Sequence, residues 1–181
     1  MLTTLRKIGL TSGLLLGFGL LALPAQAEDP AHEAVGLFVQ SCLRHVEDPN
    51  DLKAWIAATP QLQKLPKEQA DGFLLGKRGD AWSASNDTGQ FVLIVFGDDT
   101  CTVMAQMASA DQVSLLFSEY VRRKKLPIDK VADRKNFVRG IDQREETYRS
   151  SSGRLLYEVV LLTSKSQRAE VQAVLTTRPN R

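Results

Sequence analysis

An apolar run from Ile8 to Leu23, preceded by Arg6 and Lys7 and followed by Ala25-Gln26-Ala27, constrains the fold first, because it has the layout of a secretory leader and takes itself out of the folded protein. Four glycines interrupt the run, and it is short for a membrane span, which needs about 20 apolar residues. The small residues at 25 and 27 suit signal peptidase, so residues 1–27 are expected to be cleaved and residues 28–181 to mature in the periplasm. No second apolar run of this kind follows, so no transmembrane segment is expected after cleavage. No cysteine stands at the cleavage point, which argues against an N-terminal lipid anchor.

Cleavage would remove Arg6 and Lys7 and no acidic residue, lowering Lys+Arg from 23 to 21 against 21 Asp+Glu. The mature domain is then neutral, and nucleic acid is not an expected partner, since phosphate neutralisation dominates that binding. The remaining length suits a single domain with one core. Cys42 and Cys101 are the two cysteines of the chain. An oxidising compartment, an even count and positions in different elements predict a disulfide between them.

Val35, Phe38, Val39, Cys42 and Val46 recur at helical spacing after Pro30, predicting a first helix that ends by Asp48. A second is expected from Asn50 or Asp51 through Leu52, Trp55 and Ile56, and a third from Pro66 to Leu74, closed by Gly76. At Gln90 the period changes. Residues 90–96 are apolar on both faces, as in a central strand, and residues 101–105 return after the turn Gly97-Asp98-Asp99-Thr100. Ser109-Ala110-Asp111-Gln112 has the form of a capping box before a helical stripe at Val113, Leu116, Phe117, Tyr120 and Val121, with Pro127 beyond its end. The last 45 residues read as strands: an irregular one at Phe137 to Ile141, a polar edge at Arg144 to Arg149, then 154–162 and 171–175, with turns at 150–153 and 164–167. The expected fold is α+β, with N-terminal helices and one long internal helix packed on a mostly antiparallel sheet of about five strands.

The leader, the Phe38-x3-Cys42 helix, a tryptophan near the first strand and Phe91-Val92-Leu93-Ile94-Val95 closing on Cys101 together resemble small uncharacterised exported proteins of proteobacteria. The likeness covers the first two thirds of the mature chain and implies no substrate and no catalytic residue.

Patterns that announce chemistry are sparse. Cys42 and His45 are spaced to meet on a helix, the beginning of a thiol nucleophile, but a disulfide at Cys42 would remove it. His32 lies near the opposite end of the same helix, so no metal site is expected, and no cofactor motif occurs. Asp98-Asp99 reads as a solvated turn, and Ser152-Gly153 would need a base folded beside it to act. Charge is concentrated instead at Arg122, Arg123, Lys124 and Lys125, with Lys130, Arg134, Lys135 and Arg139 downstream, a candidate surface for an anionic partner such as lipid headgroups, a glycan or an acidic protein face. Arg144, Tyr148, Arg149 and Tyr157, with Arg154 nearby, are a second candidate, a wet sheet surface for protein contact, because such contacts favour Tyr and Arg. The function expected on these grounds is that of a periplasmic binding or interaction protein of the envelope. The alternative is a hydrolase whose catalytic residues are dispersed along the chain.

Overall fold

The structure, a computed structural model, describes residues 30–86, 89–151 and 156–180; the leader region 1–27, the Ser152-Gly153 turn and Arg154 lie outside the described residues. Helix α1 (Pro30–Phe38) buries Ala31, Ala34, Val35 and Phe38, the spacing that puts side chains on one helical face. A single π turn, Val39–Leu43, continues it and turns Ser41, Cys42 and Leu43 inward. Asp48 ends this segment and caps α2 (Pro49–Ala57), its carboxylate accepting from the backbone N–H groups of Asn50 and Asp51 at 2.9 and 3.2 Å. Helix α3 (Lys67–Leu74) follows Pro66 and stops where Leu75 and Gly76 take up positive φ.

Eight strands form one antiparallel sheet: β1 (Gln63–Lys64), β2 (Gly79–Ser85), β3 (Gln90–Phe96), β4 (Cys101–Ala105), β5 (Ile128–Val138), β6 (Ile141–Ser150), β7 (Tyr157–Thr163) and β8 (Ala173–Pro179). Their order, β1-β2-β3-β4-β8-β7-β6-β5, is two four-stranded meanders that meet where β4 pairs with β8. The link between the meanders is α4 (Ala110–Lys124), capped by Ser109, whose hydroxyl accepts from Gln112 N–H. Its 15 residues span about 22 Å, close to the roughly 19 Å of four strand spacings between β4 and β5, so the helix crosses the whole second meander on its way to the far edge.

Helices α1, α2 and α4 lie on one face, where Phe38, Cys42, Leu52, Ile56, Val113 and Phe117 pack on Phe91, Leu93, Val103, Leu161 and Leu175. Helix α3 covers part of the other face through Ala70 and Leu74 on Ala81 and Ile94. This explains why β3 is apolar on both sides, since its odd and even residues face two different helix layers. A disulfide joins Cys42 to Cys101, with Cα atoms 5.3 Å apart, and fastens the π turn to β4. The thiol needed for a Cys42–His45 nucleophile is therefore consumed.

The fold class is α+β, but the expected arrangement of about five strands is corrected to eight among the described residues, with four α-helices there divided between both faces. Strand β2 carries the short side chains Ala81, Ser83 and Ala84, which fit beneath helices but give no apolar alternation. Strand β5 is an edge whose side chains are mostly exposed, so no buried face marks it in the sequence. The irregular strand expected across Phe137 to Ile141 is instead the end of one strand, a tight turn and the start of the next. Arg139 and Gly140 have φ of 51° and 79°, the pair of left-handed residues that a two-residue hairpin turn requires.

Candidate functional site

At the β5 side of the sheet the chain builds a rigid base with a projecting tip. The register between β5 and β6 shifts between Lys130 and Ala132, so Val131 is an extra residue. This bulge places Lys130 and Asp133 on one face, although strand alternation would separate residues three apart. Lys130 Nζ then stands 3.0 Å from Asp133 Oδ2 and 2.7 Å from Glu146 Oε2. Arg144 binds Asp133 through two N–H groups, at 2.9 and 2.6 Å, and reaches Glu146 Oε1 at 3.2 Å. The Tyr148 hydroxyl donates to Glu146 Oε2 at 2.9 Å.

Glu146 is only 2% exposed, and its partners explain how it stays charged. Burial pushes the carboxyl up, but hydrogen bonds from Lys130 and Tyr148 outweigh that and hold it below the usual carboxylate range. Asp133 is held down by Arg144 first and Lys130 second. Burial, reinforced by the Glu146 charge, raises Tyr148. On the opposite face Glu158 lies between Arg149 and Arg178, at 2.7 and 2.9 Å, and the Arg149 hydrogen bond is the main cause of its lowered pKa. The carboxylates Glu146 and Glu158 are thus neutralised by neighbouring cations, as in ion-pair networks that fasten strands together.

Beyond this base the hairpin leaves the sheet. Pairing between β6 and β7 stops at Arg144 opposite Thr163, whereas β5 and β6 continue to pair up to Val138 opposite Ile141. The tip therefore extends about 13 Å past the last ladder pair with β7. Its root is held by Ser164, whose hydroxyl donates to the Asp142 carbonyl at 2.8 Å. Phe137 is 73% exposed and Val138 46%. Strand register puts Phe137, Lys135 and Asp142 on one face, and Val138, Ile141 and Arg134 on the other, with Arg139 at the turn. Among the described residues, Arg134, Lys135 and Arg139 form no ion pair.

The structure divides both surfaces read from the sequence. Arg122, Arg123, Lys124 and Lys125 end α4, where Arg123 pairs with Glu119 at 2.7 Å and, with Lys124, lines a groove of about 720 Å³ beside α1. Arg134 and Lys135 lie on β5, roughly 20 Å along the strand from Ile128, where α4 delivers the chain. Tyr148 and Tyr157, only 4% and 7% exposed, belong to the core under the helices, and the Tyr148 ring meets Phe117 edge-on at 5.1 Å. Arg144 and Arg149 point to opposite faces, each engaged with acidic partners. The two tyrosines and two arginines therefore do not form a joint surface. What sequence reasoning missed is the exposed apolar pair at the tip, Phe137 and Val138, beside the already noted Arg139; their signal was the Arg139-Gly140 pair between short apolar stretches.

Asp98 and Asp99 occupy the β3–β4 turn, where Asp98 Oδ1 accepts from Thr100 N–H at 3.1 Å. His45 packs against Trp55, ring centroids 6.2 Å apart. No helix among the described residues is long and apolar enough to cross a membrane. No family model, curated protein or solved structure matches this chain.

Proposed function

We propose that this chain is a binding protein of the periplasm, made to hold one projecting hairpin rigidly toward a partner in the envelope. The observation that carries this reading is Phe137, an aromatic residue 73% exposed on a hairpin whose root is fastened by Lys130, Asp133, Arg144 and Glu146. Folding gains nothing from leaving so large an apolar ring in water, and a fastened support lowers the ordering cost that a flexible loop would meet on binding. The support is further stiffened by the disulfide, which ties the helix layer to β4 at the centre of the sheet.

The test is photo-crosslinking in intact cells from the full chain carrying benzoylphenylalanine at position 137, with position 115 as control. Leu115 is also exposed, but it lies on α4 rather than on the tip. An envelope adduct formed at 137 and not at 115 is the expected result. Absence of any adduct at 137, or equal adducts at both positions, would refute binding through the hairpin.

A further inference from the structure

We infer that the partner met by the hairpin tip is an anionic lipid bilayer, an inference that rests on the reading of the tip as the binding surface. Three features of the tip converge on this chemistry. First, the apolar side chains occupy both faces of the hairpin end, Phe137 on one and Val138 with Ile141 on the other, so the tip is a wedge and not a one-sided patch. A protein groove would cover one face, whereas acyl chains close around both. Second, the cations stand on both faces as well: Lys135 two residues behind Phe137, Arg134 four behind Val138, and Arg139 at the turn itself. Long basic side chains next to an inserted apolar end can reach phosphate groups at the interface. Third, among the described residues none of these cations has a carboxylate within ion-pair distance, although Glu145 stands across from Arg134 in the register, in contrast to Lys130 and Arg144 just behind them. Residues 134–143 hold Arg134, Lys135 and Arg139 against the single carboxylate Asp142, a net charge that matches an anionic surface.

The backbone suits the same role. Beyond Asp142, where Ser164 makes the last hydrogen bond to the neighbouring chain, the hairpin end is two short strand ends and a two-residue turn, narrow enough to enter the headgroup layer without dragging the sheet with it. Three apolar side chains and three cations make a reversible contact, not a permanent anchor.

Purified mature protein should co-sediment with vesicles of phosphatidylglycerol mixed with phosphatidylcholine, poorly with phosphatidylcholine alone, and less as salt rises. Phe137→Ser should weaken binding about tenfold or more. Each of Arg134→Gln, Lys135→Gln and Arg139→Gln should weaken it about fivefold. All four residues are exposed, so thermal unfolding should be unchanged and loss of binding cannot be loss of fold. A variant neutralising Arg122, Arg123, Lys124 and Lys125 should retain most of the binding. Equal sedimentation of wild type and Phe137→Ser, or loss confined to the 122–125 variant, would overturn the inference. So would light scattering showing a dimer that Phe137→Ser dissociates. If the vesicles fail while position 137 still crosslinks to an envelope protein, the lipid inference falls and the binding reading stands. If both fail, both fall.

Discussion

Lys130 Nζ lies 2.7 Å from Glu146 Oε2 because Val131 is an extra residue in the edge strand. Without that bulge, alternation would send Lys130 and Asp133 to opposite faces, and the cluster with Arg144 and Glu146 would not assemble. The same bulge interrupts the free edge of β5, so one inserted residue both fastens the hairpin root and blunts the edge against unplanned pairing.

Glu146→Ala should destabilise the protein by about 1–3 kcal/mol. The buried carboxylate is the common partner of Lys130, Arg144 and Tyr148, and its removal leaves the phenol without its acceptor. Both cations remain more than a third exposed, and water screening reduces the loss below that of a fully buried pair. Urea unfolding measures it, and a variant as stable as wild type would show that the cluster has no role in holding the hairpin.

Stability should fall in acid. Glu146, Asp133 and Glu158 are all held below their ordinary values, so the unfolded chain takes up protons first. Their contribution is complete above the unfolded carboxylate range, about pH 4–5, and is lost as pH drops through the lower folded values. Urea midpoints between pH 7 and pH 2 should be level and then decline below about pH 4. A midpoint that rises toward acid would contradict the assignment.

At the alkaline end the sign reverses. Burial raises both Tyr148 and Tyr157, with the Glu146 charge adding to the first and Glu47 to the second. Their neutral forms are favoured by folding, so this contribution is present below about pH 10 and is lost above it. Phenolate absorbance should show both rings protonated past pH 10 in the folded protein and ionising in urea. Tyr148→Phe and Tyr157→Phe should then leave the native titration near pH 10 unaltered. A reduced native signal in either variant would place that ring in contact with water.

Reduction of Cys42–Cys101 should lower stability by about 2–4 kcal/mol. The bond closes a loop with a sequence separation of 59, for which chain entropy sets a value near 4 kcal/mol. Guanidinium midpoints with and without reductant supply the comparison, and identical curves would mean that the helix layer docks on β4 without the staple.

Two glycines should respond to alanine in opposite directions. A Cβ at Gly79 would meet the Val95 carbonyl oxygen at 2.5 Å and Phe96 Cα at 3.0 Å, backbone that cannot move aside, so Gly79→Ala should cost about 1–3 kcal/mol. Gly36, inside α1, has nothing within 4 Å of that position, and Gly36→Ala should stabilise by about 0.5–1 kcal/mol through helix propensity. Thermal melts of the pair decide it, and a Gly79→Ala variant as stable as wild type would disprove the close packing of β2 on β3.

Short-range rules sufficed for much of the framework. Asp48 and Ser109 start helices because their side chains satisfy the free N–H groups at each helix origin, and that requirement is met within three residues of chain. The inward placement of Cys42 followed from the spacing of Val35 and Phe38, and its pairing with Cys101 from there being two cysteines to join. The apolar character of residues 90–96 on both faces required cover on both faces, which α3 and the larger helix layer supply.

Tertiary structure alone decided which face each polar-patterned strand presents. Tyr148 and Tyr157 look like surface residues in sequence because arginines and glutamates surround them, yet Phe117 of α4 closes over Tyr148 and Tyr157 is buried in the same core. No local pattern encodes that burial, because it depends on matching the length of α4 to the width of a sheet that forms from distant strands. A one-residue change in strand register exchanges the two faces, and Val131 makes such a change within β5. Local hydrogen-bonding needs and apolar spacing therefore set the caps, the helices and the disulfide, whereas the buried tyrosines, the ion cluster and the projecting tip arose from long-range pairing, whose register is chosen by the packing of the whole sheet.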